Sequence, residues 1–323
     1  MLTLATTPMP TPPSTSVLLG LAALAIVIGW CRHGHTTLES IEGPLAHARA
    51  LGFKCIVGHL PVDRAHTRAA QAVCKGALDA TMHALQRRST EAEAVGIKLC
   101  YFAAAKDSTK DSVTGNEGGE GEGTVDMDRL HAFLDRAADR GVFVWISAMT
   151  RGDNAVERAV YSRLLSRYGP HRVGLTIQCY HDTADATVDA ILRQNGTVRL
   201  VKGFYNDGTL SWAEATRSLE RNARKLIAHE SALHQLATHD FDLLERLGRE
   251  GGPATWTKVQ VAFFWFARHH VFHRLARFPH RLPYAAFYFP TGQVASAFHL
   301  RHVHKPRLVA RLVNGWLSRL WGN

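Results

Sequence analysis

Cysteine is scarce in this chain, and its placement builds nothing. The five residues (Cys31, Cys55, Cys74, Cys100 and Cys179) are odd in number, scattered, and contain no CxxC pair. That excludes a disulfide framework and a cysteine-built zinc site, and it suits reduced thiols inside a cell. No GxGxxG run follows an early strand-like segment, which argues against an open dinucleotide-binding sheet. Acidic residues stop at Glu250: the last 73 residues hold ten Lys or Arg and seven His but no Asp or Glu. Up to Glu250 the charges balance at 28 of each sign, so the whole excess of +10 is C-terminal. Such a segment is either a solvated basic face or one that expects phosphates, a carboxylate or acidic lipid. No nucleic-acid-binding motif accompanies the charge, so nucleic acid is not an expected partner.

Charge is also missing from residues 1–16, a Thr-, Pro- and Ser-rich stretch expected to be disordered. Val17 to Trp30 follows as 14 nearly continuous apolar residues, short of the ~20 a bilayer span needs. The lack of a basic region ahead of it weakens a secretory signal, and the lack of arginine before Arg32 weakens a typical mitochondrial transit peptide. A packed helix is the preferred reading, with a membrane-contacting anchor as the alternative. Residues 1–33 are therefore read as a tail plus an apolar helical arm, and 34–323 as the main domain.

What the chain does have is alternation. Strand-like apolar runs occur at Phe53–Val57, Gly96–Phe102, Val142–Ser147, Val173–Gln178, Val198–Lys202, Ala232–Thr238, Lys258–Phe263 and Ala285–Phe289. Helical patterns lie between them. Asp126–Arg140 places Leu130, Phe133, Leu134 and Ala137 on one face, and Thr36 with Glu39 has capping-box spacing ahead of another helix. Eight strands, each followed by a helix, read as an α/β fold, a distorted (β/α)8 barrel with an N-terminal helical arm. The acidic, Gly-rich segment 106–124 reads as a flexible surface loop.

In such a barrel the active site lies at the C-terminal ends of the strands. The polar residues at those ends are Lys98, Ser147, Gln178, Arg199 with Lys202, Thr238-His239-Asp240, Gln260 and Tyr288. Each has a bland reading, such as a satisfied core amide at Gln178 or a helix cap at His239. Lys98, inside Ile97-Lys98-Leu99, would be a costly buried charge unless it met an anion. Together they line one rim with donors and cations and almost no carboxylate. That set suits a flavin, whose ring nitrogens, ribityl chain and pyrophosphate accept hydrogen bonds.

The run Arg199-Leu200-Val201-Lys202-Gly203-Phe204-Tyr205 closely resembles the Arg-Leu-Val-Lys-Gly-Ala-Tyr segment of the proline dehydrogenase family. Leu175-Thr176-Ile177-Gln178-Cys179-Tyr180, Ala237-Thr238-His239-Asp240 and Tyr288-Phe289-Pro290-Thr291-Gly292 resemble three further family segments, in the same order. The resemblance covers most of residues 34–320. It implies a distorted barrel binding FAD noncovalently and oxidising L-proline to pyrroline carboxylate, with a quinone or another acceptor reoxidising the flavin. In this family Arg199 would approach the reactive flavin nitrogen, Lys202 the pyrophosphate and Gln178 the ring edge. Val201, Gly203 and Tyr205 would belong to the same cofactor-binding run, with Thr238 and His239 supporting it. Lys98, Tyr288, Arg301 and His302 would face the substrate. The compartment it implies is mitochondrial and inner-membrane-associated in a eukaryote, cytoplasmic or membrane-peripheral in a bacterium.

The departures fall on the substrate side. Where the family has Tyr-Leu-x-Arg-Arg-Leu-x-Glu, residues 298–305 keep the first arginine as Arg301 but carry His302 and Lys305 in place of the second arginine and the glutamate. Ser147-Ala148-Met149 stands where the family has Asp-Met-Glu. Loss of one charged hydrogen bond costs about 1.5–3 kcal/mol. Two function classes therefore compete: a flavoenzyme acting on proline or a related cyclic amino acid, and a barrel relative that binds without turnover. Weaker signals are the His269/His273 pair at helical spacing, with no third ligand nearby, and the amphipathic stretch Pro306–Trp321. The latter suits a helix packed on the barrel or one lying on a membrane surface.

Overall fold

A computed structural model describes residues 39–60, 93–103, 112–113, 125–148, 154–203, 208–229, 234–252, 255–264 and 284–290. Eight parallel strands close into a barrel. In chain order the elements are α1 (Glu39–Ala50), β1 (Lys54–Leu60), β2 (Ala94–Ile97), a small β3 (Ser112–Val113) and β4 (Val125–Asp126). Next come α2 (Met127–Asp139), β5 (Phe143–Ile146), α3 (Asn154–Tyr168), β6 (Val173–Gln178), α4 (Ala184–Arg193) and β7 (Thr197–Val201). The chain continues through α5 (Trp212–Ala228), β8 (His234–Ala237), α6 (Phe241–Gly251), α7 (Thr255–Lys258), β9 (Val259–Phe264) and β10 (Tyr284–Pro290). Around the barrel the order is β1-β10-β9-β8-β7-β6-β5-β2, with β2 returning to β1. The barrel expected from strand–helix alternation is therefore present.

Most strands form where expected because parallel strands are buried on both faces and read as unbroken apolar runs; all six residues of β6 are buried. The second strand is a correction. It ends at Ile97, and Leu99–Phe102, expected as strand, form a 3-10 turn. That turn stays apolar because Phe102 packs edge-on against Phe133 of α2, with ring centroids 5.8 Å apart. Hydrophobicity alone could not mark the break. The 106–124 segment is corrected in part: Ser112–Val113 pairs antiparallel with Val125–Asp126. The rest of that segment, the Thr36 capping site, the apolar arm and the His269/His273 pair lie outside the described residues.

The helices start and stop for local reasons. Asp126 caps α2 by accepting a hydrogen bond from the Arg129 amide at 3.0 Å. Ser211 and Glu214 form a reciprocal capping box at the start of α5. Met127, Leu130, Phe133, Leu134 and Ala137 are the buried stripe of α2, the face expected from the periodicity.

Alternate strand residues separate two environments. Val57, Ile97, Ile146, Leu175, Leu200 and Leu236 join the large apolar cluster that includes the helix faces. Ile56, Ala94, Trp145 and Ala262, of the opposite parity, form a second, small cluster. Gly174 belongs to that inner set, and a side chain there would run into the Trp145 ring. Trp145 thus closes one level of the barrel, and the next level of inward positions, Thr176, Arg199, Gln235 and Gln260, is polar.

Tyr161 ties α3 to the start of β7. Its hydroxyl accepts from the Thr197 amide at 2.7 Å and donates to the Thr197 carbonyl at 3.2 Å, and burial pushes its pKa up. Tyr161→Phe leaves a buried backbone N–H without its acceptor. The expected loss is about 1–3 kcal/mol of stability, read from urea denaturation midpoints at an unchanged slope.

Candidate functional site

Four inward polar residues share one level of the barrel, and Gln260, expected at the C-terminal end of its strand, is instead the second residue of β9. Thr176, Arg199, Gln235 and Gln260 occupy successive register positions on β6, β7, β8 and β9. All four are buried. Ser147, directly after β5, and Lys98, directly after β2, are buried as well.

Arg199 is the centre of this group. It is 3 % exposed. Its Nε donates to Thr176 Oγ1 at 2.9 Å and its Nη2 to Ser147 Oγ at 3.3 Å. The guanidinium carbon lies 5.0 Å from the centroid of the Trp145 ring. Two hydroxyls and a π face are neutral partners, and no carboxylate among the described residues pairs with this cation. A buried guanidinium ordinarily needs an anion, because withdrawal from water is costly. Lys98, 2 % exposed, donates from Nζ to the Ala148 carbonyl at 2.9 Å. Its ammonium is thereby held at the end of the neighbouring strand, β5.

Gln178 closes β6 and is buried. Val201 pairs with it in register and is half-buried. Lys202 is engaged twice: its Nζ lies 3.4 Å from Asp240 Oδ2 and 4.4 Å from the centroid of the Trp212 ring. Asp240 has a second duty, accepting from the Leu243 amide at 3.2 Å to cap α6. The cap weighed for His239 therefore belongs to Asp240. Thr238 supports the same turn by accepting from the Asp240 amide at 3.1 Å, with His239 half-buried between them.

Gly203 is required by close approach. Its φ is +151°, and a Cβ there would overlap the Tyr180 ring; Gly208 meets the same ring from another side. The Tyr180 carbonyl accepts from the Thr209 and Leu210 amides at 3.0 and 2.9 Å. Tyr180 also stacks on His181 at a centroid distance of 4.4 Å. The loop after β7 is thus held to the loop after β6 through Tyr180. Trp212 was not singled out from sequence, and Tyr180 stood there only as the last residue of the 175–180 segment, with no role of its own; its ring is what Gly203 and Gly208 accommodate. Tyr288 lies on β10 in register with Gly58. Tyr205, Arg301 and His302 lie outside the described residues.

No protein-family model matches the chain, and no curated protein does. Solved structures do. Proline utilization A (PutA) from Bdellovibrio bacteriovorus, inactivated by N-propargylglycine, aligns with a TM-score of 0.62 and 14% identity over 94% of this chain and 35% of that one. The barrel is similar to part of PutA. PutA from Corynebacterium freiburgense gives a TM-score of 0.58 and 13% identity, covering 95% of this chain and 35% of the other. A PutA structure with proline bound in remote sites gives 0.51 and 17% over 88% of this chain and 30% of that one. This chain spans about a third of the length of those PutA chains. At these identities the likeness to PutA is one of fold.

Proposed function

We propose that this chain is a flavoprotein oxidoreductase that oxidises L-proline to pyrroline carboxylate, passing hydride to FAD, with a quinone as final acceptor. The observation that carries the reading is Arg199. A guanidinium 3 % exposed, held among the described residues by two hydroxyls and an indole face, points into a parallel barrel from the middle of β7, in a fold similar to PutA.

The donor set fits FAD. Arg199, Gln178, Thr238 and His239 would hold the isoalloxazine and ribityl portions, and Lys202 the pyrophosphate. The glycine at 203 leaves room for the Tyr180 ring. When bound, FAD supplies the hydride acceptor. The chain's own residues bind and orient. The fixed charge of Arg199 favours negative charge developing beside it, in a buried setting where such charge is worth most. In this reading Lys98 and Arg301 would hold the substrate carboxylate, His302 would assist with fewer donors, and Tyr288 would bound the substrate. Asp240 and Trp212 fix the direction of Lys202.

The test is spectroscopic. The purified protein is expected to be yellow, and anaerobic L-proline to bleach the flavin absorbance. A colourless protein that takes up no added FAD sinks the flavin reading. A yellow protein unbleached by proline, hydroxyproline or pipecolate sinks the proline reading and leaves the non-catalytic class. Ser147, which offers Arg199 a hydroxyl where the family has an aspartate, favours a shifted substrate as the second reading. Association with a membrane belongs to the proposal through the quinone; no described helix is long and apolar enough to cross one.

A further inference from the structure

Which edge of the Arg199 guanidinium is occupied decides what the rest of it can do. Nε–H and one Nη2–H lie side by side, on an edge that suits the two oxygens of a carboxylate. Here two hydroxyls take that edge: Thr176 Oγ1 accepts from Nε at 2.9 Å and Ser147 Oγ from Nη2 at 3.3 Å. Both residues are buried. The Trp145 ring covers a face of the guanidinium. Register brings these parts together, since Thr176 pairs with Arg199 and Trp145 with Gly174. Gly174 in turn has no side chain to push the indole away.

A guanidinium has five N–H groups. Two are used in this way, and the other three meet no acceptor among the described residues. Hydroxyls fix the plane of the fork as a carboxylate would, but they bring no charge. A carboxylate on the same edge would offset most of the positive field that the cation sends onward; neutral oxygens leave that field in place, in a buried setting where it acts strongly. We propose that Thr176 and Ser147 are positioning residues for Arg199. They hold its plane by the Nε/Nη2 edge without cancelling its charge, so that bound flavin is easier to reduce than it would be beside an arginine–carboxylate pair. The proposal rests on the flavin reading above and adds to it how the cofactor is tuned. Trp145 keeps the plane from tilting, and Gly174 keeps Trp145 in place. The serine that stands where the family has an aspartate thereby acts on the cofactor as well as on the substrate side.

The experiment uses the full chain loaded with FAD and compares the wild type with Thr176→Val, Thr176→Ser, Ser147→Ala and Ser147→Asp. Two quantities are measured: the midpoint potential of the flavin, by anaerobic equilibration with a reference dye, and the thermal midpoint. Thr176→Val keeps the shape but frees Nε. Its flavin reduction equilibrium is expected to fall about tenfold, the worth of one hydrogen bond to a charged group, or ~30 mV for a two-electron couple. Ser147→Ala should act in the same direction, and Thr176→Ser, which keeps a hydroxyl, should restore the wild-type potential. Ser147→Asp separates charge from packing. It gives the buried cation a carboxylate partner, so the thermal midpoint should hold or rise while the reduction equilibrium falls tenfold or more. A purely structural role would do the opposite, lowering thermal midpoints at a constant potential. If Thr176→Val does not fold, the two Ser147 variants carry the comparison. A wild type that takes up no FAD defeats the flavin reading and this proposal with it. FAD-loaded variants that all share the wild-type potential overturn the positioning role alone.

Discussion

Arg199→Met is expected to slow the bleaching of flavin by L-proline by roughly 10²–10³-fold, the usual cost of losing one preorganised donor at the reacting centre. Methionine keeps the length and much of the volume of the arginine stem but carries no charge, so the Trp145 contact survives as apolar packing while the fixed cation goes. Stability should not fall with it. The native guanidinium is buried among Thr176, Ser147 and Trp145, with no carboxylate paired to it among the described residues, and removing such a charge relieves a desolvation cost rather than stranding a partner. An unchanged or raised thermal midpoint together with a slow anaerobic stopped-flow trace would separate a chemical role from a structural one. Arg199→Lys divides the contribution further. It restores the charge without the planar fork, so a rate between wild type and Arg199→Met is expected. A wild-type rate in Arg199→Met would end the case for this residue beside the flavin.

Much of the barrel was readable because its strands are buried on both faces. Val173–Gln178 and Val198–Leu200 are mainly apolar in sequence and buried in the structure for the same reason. The break after Ile97 was not readable, since Tyr101 and Phe102 remain buried once the strand has ended and hydrophobicity does not record the change of direction. At the site, residue types could be read but partners could not. Lys202 was expected to serve a phosphate. Its partner Asp240 lies 38 residues on, and only the closure of β7 against β8 brings it to Lys202. Ser147 illustrates the converse. Its departure from the family pattern was plain in sequence, whereas its hydrogen bond to Arg199 required the fold.

Acid should destabilise this protein through His234, by about 3 kcal/mol between neutral pH and pH 4, taking 1.36 kcal/mol per pKa unit. His234 is fully buried, at the start of β8. Its Nδ1 accepts from the Val198 amide at 3.2 Å, so that nitrogen must be unprotonated. Burial, and secondarily the charge of His229, whose ring meets it edge-on at 5.5 Å, push its pKa down from 6.5 to about 4. The unfolded chain therefore takes up a proton near pH 6.5 that the folded protein refuses until about pH 4. Stability from this residue is complete above the unfolded pKa, declines as pH falls through that window, and is gone below the folded pKa. His234→Gln keeps an acceptor within reach of Val198 but does not titrate. Urea midpoints for wild type and His234→Gln at pH 7.5 and pH 4.5, both inside ~pH 4–8, should show the wild type losing more stability on acidification by roughly 2–3 kcal/mol. Carboxylates common to both proteins cancel in that difference. Parallel losses in the two proteins would place the acid sensitivity elsewhere and leave His234 charged in the fold, against the hydrogen bond it accepts from β7.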